Sequence, residues 1–263
     1  MKKIDFHTHC FPDRLAPRAM ATLSSAAGGV KPQTDGTLGG LLSLMDSSGV
    51  EMAVVMNIAT NTRQQTSVNN FAAEICGDRI MAFGSVHPDS ENVFDELERI
   101  KALGLKGVKF HPEYQKFYVD DEKMRPIYKK ISELGLAVLF HAGWDVGFPP
   151  PYHCMPQQLA NALKMLDCPV IAAHWGGISV YDKVVKYLCG LPLWLDTSYG
   201  YSVIPRPYAE EIAEKHGAER LLFGSDTPWH SPAWESRLIE SIGFSESEKE
   251  LIYHKNAEKL LGI

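Results

Sequence analysis

Apolar positions along the chain follow two alternating rhythms. In residues 1–10, Ile4, Phe6 and Thr8 alternate with Asp5, His7 and His9, the period of two expected of a β-strand. Residues two apart share a side of a strand, so His7 and His9 present two imidazoles together, and Asp5 is expected to turn inward with them. The segment 52–58 is a continuous apolar run of strand length, as for a strand covered on both faces. Further strands are expected over 80–86, 106–111, 136–142, 169–174, 193–196 and 220–226. Between them, helical spacing runs over 38–48, 65–76, 92–103, 123–134, 156–166, 179–188, 208–216 and 234–242. Gly49, Gly104 and Gly135 stop three of these helices. Ser245-x-x-Glu248 is a capping box that opens a helical tail. The segment 11–36 is rich in Pro, Gly, Ala and Ser without sustained periodicity and reads as a long loop, the kind that is often functional.

Eight strands thus alternate with eight helices, most repeats being the size of a βαβ unit, about 30 residues. That count favours an α/β protein with a closed (β/α)8 TIM barrel over an open doubly wound sheet. One domain over 1–263 with a C-terminal helical extension accounts for the whole length.

Composition narrows the partners. A hydrophobic fraction of 45% supports a full core, and a formal charge of −6 without a dense Lys/Arg cluster argues against nucleic acid. No apolar run is long enough for a membrane span, and residues 1–10 lack the pattern of a secretory leader, so a cytoplasmic location is expected. The five cysteines, at 10, 76, 154, 168 and 189, include no CxxC pair, which suits reduced, packed thiols rather than a disulfide framework or a thiolate zinc site.

In a barrel of this kind, chemistry gathers at the C-terminal ends of the strands. There the sequence places His7, His9, His87, Lys109, His111, His141, His174, Asp196 and Asp226. A same-face histidine pair is costly to bury unless something binds it, and neutral imidazole is a common metal ligand. His141 and His174 end neighbouring apolar runs. Asp226 closes the last strand, which in a closed barrel lies beside the first. This is a nitrogen and oxygen donor set suited to zinc, manganese or iron. His87 alone reads more readily as structural. Trp144, Tyr152, Trp175 and Trp229 follow ligand-bearing strands and would wall a planar substrate or simply pack.

These residues resemble the amidohydrolase superfamily of metal-dependent barrels. More narrowly, they resemble the amidohydrolase-related branch that includes aminocarboxymuconate semialdehyde decarboxylase. The likeness is carried by Asp5-Phe-His-Thr-His9, Gly107-Val-Lys-Phe-His-Pro112 with Tyr114, Gln115 and Phe117, Leu139-Phe-His141-Ala, Ala173-His174-Trp-Gly-Gly177 and Phe223-Gly-Ser-Asp226-Thr-Pro. Asn256-Ala-Glu-Lys-Leu-Leu-Gly262 resembles its closing helix. The resemblance implies one catalytic divalent ion, zinc first and manganese or iron next, held by His7, His9, His141 and Asp226. It implies His174 as an acid/base or electrophilic group beside that ion. Lys109 is expected to pair with a substrate carboxylate, aided by His111. A second ion is expected only if Lys109 is carboxylated.

The expected activity is hydrolysis of an ester, lactone or amide bond in a small, carboxylate-bearing substrate by a metal-activated water, with Asp226 or His174 as the proton acceptor. Arg63 and Arg206 are further candidates for holding the acid. The alternative chemistry is non-oxidative decarboxylation of an aromatic or enoic acid; a non-catalytic binding barrel is the third reading. Segments 11–36 and 144–155 are expected to set specificity; His153 is the one histidine of the second within reach of a substrate, though solvent exposure is the favoured reading for it. A homodimer is the family-level expectation.

Overall fold

The computed structural model describes residues 1–263. Its parallel strands are β1 (Ile4–Thr8), β2 (Met52–Met56), β3 (Ile80–Phe83), β4 (Gly107–Phe110), β5 (Ala137–Phe140), β6 (Val170–Ala172), β7 (Trp194–Asp196) and β8 (Leu221–Leu222). β1-β2-β3 and β4 through β8 form two parallel arcs in sequence order. Backbone bonds join the arcs at both seams. Lys109 N–H reaches Gly84 O at 2.8 Å, while Phe6 N–H reaches Phe223 O and Asp226 N–H reaches His7 O, each at 2.7 Å. The result is the expected (β/α)8 barrel, and its second seam sets Asp226 directly beside the first strand.

The helices are α1 (Ala16–Ala26), α2 (Leu38–Ser48), α3 (Gln65–Ile75), α4 (Val93–Ala102), α5 (Pro112–Gln115), α6 (Arg125–Glu133), α7 (Pro156–Ala162), α8 (Tyr181–Tyr187), α9 (Arg206–His216), α10 (Pro232–Ser241), α11 (Glu246–Glu250) and α12 (Asn256–Leu261). Outward strand residues such as Val55, Val108, Phe140 and Leu195 pack on the helices in one large core. Ile4, Phe6, Val54, Phe83, Leu139, Ile171 and Leu222 form a smaller inner cluster that Ala257 and Leu261 of α12 also join. The alternation read from the sequence is therefore realised as two apolar layers on either side of each strand. No helix is long and apolar enough to cross a membrane.

Two expectations are corrected. The segment 11–36 is not loop throughout, since it contains α1. Pro17 starts this helix, and only Ala16 and Met20 are buried, so the apolar stripe is two residues one turn apart and leaves no readable period. Strict alternation also fails in β1. Its register against β2 shifts between Asp5 and Thr8, so Ile4 and Phe6 pack inside and His7 still reaches the cavity. Asp5 is spent on the Ser225 N–H and hydroxyl, at 2.9 and 2.6 Å, rather than facing the cavity.

Candidate metal centre

His7 and His9 extend from the end of β1, and each has its ring fixed by a hydrogen bond at Nδ1. His7 Nδ1 lies 2.8 Å from Asp196 Oδ2, and His9 Nδ1 lies 2.7 Å from the Met56 carbonyl. Carboxylate and carbonyl oxygens only accept, so both Nδ1 atoms carry a proton, and Nε2 is the atom each ring can offer to a metal ion. Both Nε2 atoms face the same carboxylate oxygen: Asp226 Oδ1 stands 3.4 Å from His7 Nε2 and 3.2 Å from His9 Nε2. Three candidate ligand atoms face one another in a buried space, an arrangement that suits a cation. Lys109 Nζ, 3.4 Å from His7 Nε2, serves one of them. A divalent ion would serve all three, with the nitrogen and oxygen donors that zinc favours and the hydrogen-bonded histidines typical of such sites.

Backbone shape brings these groups past the strand ends. Asp226 has φ 69° and His174 φ 59°, left-handed conformations that turn each side chain back over the barrel mouth. His174 N–H donates to Asp196 Oδ1 at 3.0 Å. Asp196 also accepts from Ser198, whose hydroxyl lies 2.9 Å from His174 Nδ1. One buried carboxylate thus orients both His7 and His174.

Ligand atoms of His7, His174 and Asp226 all fall within 4.8 Å of one another. The His7 and His174 rings are stacked, with centroids 5.0 Å apart at 27°, whereas His7 and His9 are tilted by 59°. In-plane lone pairs of near-parallel rings do not aim at one point, which suits His174 to a place beside an ion. His141 meets this group through His174, Nδ1 to Nε2 at 3.1 Å. Its other contacts form a second cluster with His111 and Asp145. There His111 Nε2 lies 3.2 Å from Asp145 Oδ2, and the His111 and His141 rings stack at 4.1 Å and 11°. That stacking is poor geometry for a shared ion.

Burial sets the charges. Burial and the charge of Lys109 push His7 down to about 3 against the pull of Asp196, so the ring is neutral and able to coordinate. Burial lowers His111 and His174, and carries His141 well below its ordinary value. Burial alone would raise the Asp226 carboxyl, but its contacts with His9, His174 and His7 outweigh burial and hold it below the usual carboxylate range. Lys109, 1% exposed, is drawn down to about 8 by burial, with Asp196 and Asp226 opposing.

The cluster opens into a cavity of about 1590 Å³. Of the predicted residues, His7, His9, Lys109, His111, His141, His174, Asp226, Trp144 and Trp229 all line it. Trp175 does not; it is fully buried and belongs to the core. Tyr152 reaches the cavity only by stacking on Trp144, 5.7 Å between rings. His87 lies elsewhere, its Nδ1 accepting the Asp89 N–H at 3.3 Å. His153 is tied to Glu113 through both its backbone N–H and its Nδ1. Arg206 is spent on Glu210 at 2.7 Å, and Arg63 is exposed outside the cavity. Asp145 and Ser198 carried no signal in the sequence: one sits in a loop and the other acts through partners distant along the chain.

A family model described as Amidohydrolase matches residues 4–263. A 4-sulfomuconolactone hydrolase of Rhizobium radiobacter is 24% identical over 257 residues, which cover 91% of this chain and 79% of that one. Among solved structures, a 5-carboxyvanillate decarboxylase of Sphingomonas paucimobilis superposes with a TM-score of 0.75 at 16% identity, covering 100% of this chain and 99% of that one. A probable 2-pyrone-4,6-dicarboxylic acid hydrolase of Acinetobacter baumannii superposes with a TM-score of 0.72 at 21% identity, covering 100% of both chains. Hydrolase and decarboxylase relatives therefore share this barrel.

Proposed function

The chain belongs to the amidohydrolase family, and from that premise we propose that it is a metal-dependent hydrolase of a small, carboxylate-bearing substrate, cleaving an ester, lactone or amide bond. The observation that carries this reading is the convergence of two imidazole Nε2 atoms on Asp226 Oδ1. His7, His9 and Asp226, with His141 as the fourth ligand, would hold one divalent ion, zinc by its donor set. When bound, such an ion acidifies water and polarises a carbonyl.

The chain's own residues do the rest. Asp226 or the neutral His174 accepts the proton released as water attacks. Asp196 and Ser198 keep His174 in one orientation. The buried Lys109 ammonium supplies a positive charge for the substrate carboxylate, and His111 lines the same cavity. Trp144 and Trp229 offer apolar wall to the substrate body.

The test is metal analysis together with turnover on a panel of esters, lactones and amides, before and after His7→Ala and Asp226→Asn. Both variants are expected to lose the ion and the activity. Retention of full metal content and turnover in both would overturn the assignment.

A second reading, non-oxidative decarboxylation, draws on one observation: Lys109 lies against His7 at 3.4 Å, where a cation would hold a carboxylate beside the metal. Release of carbon dioxide without net consumption of water would decide for it.

A further inference from the structure

The loop after β7 carries a hydroxyl that the proposed mechanism does not use. Tyr199 adopts φ 55°, a left-handed conformation that costs energy in any residue with a Cβ. Its half-buried ring lines the cavity of the metal cluster and stands edge-on to His174, with centroids 6.4 Å apart at 76°. The same ring packs on His230, 4.6 Å between centroids. The Tyr199 N–H donates to the Ser225 carbonyl at 3.3 Å, but the hydroxyl has no partner within the chain. Burial, and then the charges of Asp226 and Asp145, raise the phenol above its ordinary value. It therefore keeps its proton in neutral solution and is a donor toward any anionic oxygen in the cavity.

A buried carboxylate holds this conformation from outside the cavity. Glu235 of α10 is fully buried and does not line the cavity. It accepts the Gly200 N–H and the Tyr201 N–H, each at 3.1 Å, and a hydrogen bond from His230 Nδ1. One side chain thus fixes the two residues that follow Tyr199 and the ring on which Tyr199 packs. Gly200 also fits closely against the core, since a Cβ there would lie 2.3 Å from Trp175 Nε1.

Packing alone explains little of this. A wall residue needs no left-handed backbone, no buried carboxylate behind it and no free hydroxyl beside His174. Strain upheld by a rigid surround is what a residue with chemical work requires.

We infer that Tyr199 is a further catalytic residue, whose hydroxyl donates a hydrogen bond to the acyl oxygen of the substrate as water adds to the carbonyl carbon. In that step the water oxygen bonds to carbon and the carbonyl π pair moves onto the acyl oxygen. The water proton passes to Asp226 or His174. Tyr199 keeps its own proton and shares it with the oxygen that has gained charge. So placed, it serves the proposed metal-dependent hydrolysis, on which this inference rests.

The test compares metal-loaded wild-type protein with Tyr199→Phe, which removes only the hydroxyl. Calorimetry measures binding of methylphosphonate, tetrahedral with anionic oxygens like the adduct, and of acetate, which is planar. Tyr199→Phe is expected to weaken methylphosphonate about tenfold or more, the loss of one charge-assisted hydrogen bond. Acetate should change by no more than about twofold, with metal content unchanged. Equal weakening of both ligands, methylphosphonate affinity that survives the substitution, loss of the ion from the variant, or ion-loaded wild-type protein that does not bind methylphosphonate each overturns the inference. Wild-type protein that holds no ion brings down the metal-site reading as well, so the two failures are told apart by metal analysis.

Discussion

His7 donates its Nδ1 proton to Asp196 across 2.8 Å, joining the ends of β1 and β7 inside the barrel mouth. Both side chains are excluded from solvent. The contact decides which nitrogen of His7 is left bare, and it aims that nitrogen at Asp226.

Asp196→Asn tests this relationship. The amide keeps the size of the side chain but holds the imidazole tautomer less firmly and removes the negative charge behind it. Metal affinity is expected to fall about 10–100-fold with the fold retained. Competition with a coloured chelator measures it, and unchanged affinity would remove Asp196 from the metal-binding machinery.

Lys109 is expected to remain an unmodified ammonium, so metal analysis should return one divalent ion per chain. Lys109→Met should keep that ion and weaken benzoate binding by about tenfold or more, the loss of a charge-assisted hydrogen bond. Two ions per chain together with an added carboxyl mass on Lys109 would reverse the assignment.

His216 gives a pH dependence far from the metal cluster. It is 3% exposed, donates from Nε2 to the Leu193 carbonyl at 3.1 Å and accepts the Gly190 N–H at Nδ1 at 3.3 Å. Burial pushes its pKa down from 6.5 to about 4. The unfolded chain then binds more protons than the folded one between those values, so stability rises as pH rises from 4 to 6.5 and levels off above. The loss on acidification is of order 3 kcal/mol. Denaturant melts across this window should show a slope that His216→Gln flattens.

Gly143, just past β5, has φ 84°, and a Cβ there would lie 2.4 Å from Ile178 N and 2.5 Å from Ile178 O. Those are backbone atoms of the adjoining loop and cannot swing away. Gly143→Ala is expected to cost roughly 2–4 kcal/mol, from left-handed strain plus overpacking. A melt that moves by less than about 0.5 kcal/mol would show that the loop adapts.

Much of this architecture was legible in the order of residues alone. Strands and helices alternate with distinct periods, and that repetition specifies a barrel because each βαβ unit buries one face of the next. Placing His7, His9, His141, His174 and Asp226 at strand ends needed only the convention that such ends face the cavity. Helix α1 escaped notice because Ala16 and Met20 are its only buried residues, too few to make a period.

What the chain could not announce was pairing between distant groups. His7 and Asp196 stand 189 positions apart, and nothing near either one marks its partner. Asp145 against His111 and Ser198 against His174 were likewise settled only when the barrel closed. Local sequence sets backbone period and burial, because these depend on neighbours along the chain. Proton positions, donor convergence and the location of unpaired charge depend on neighbours in space, and those are created by folding.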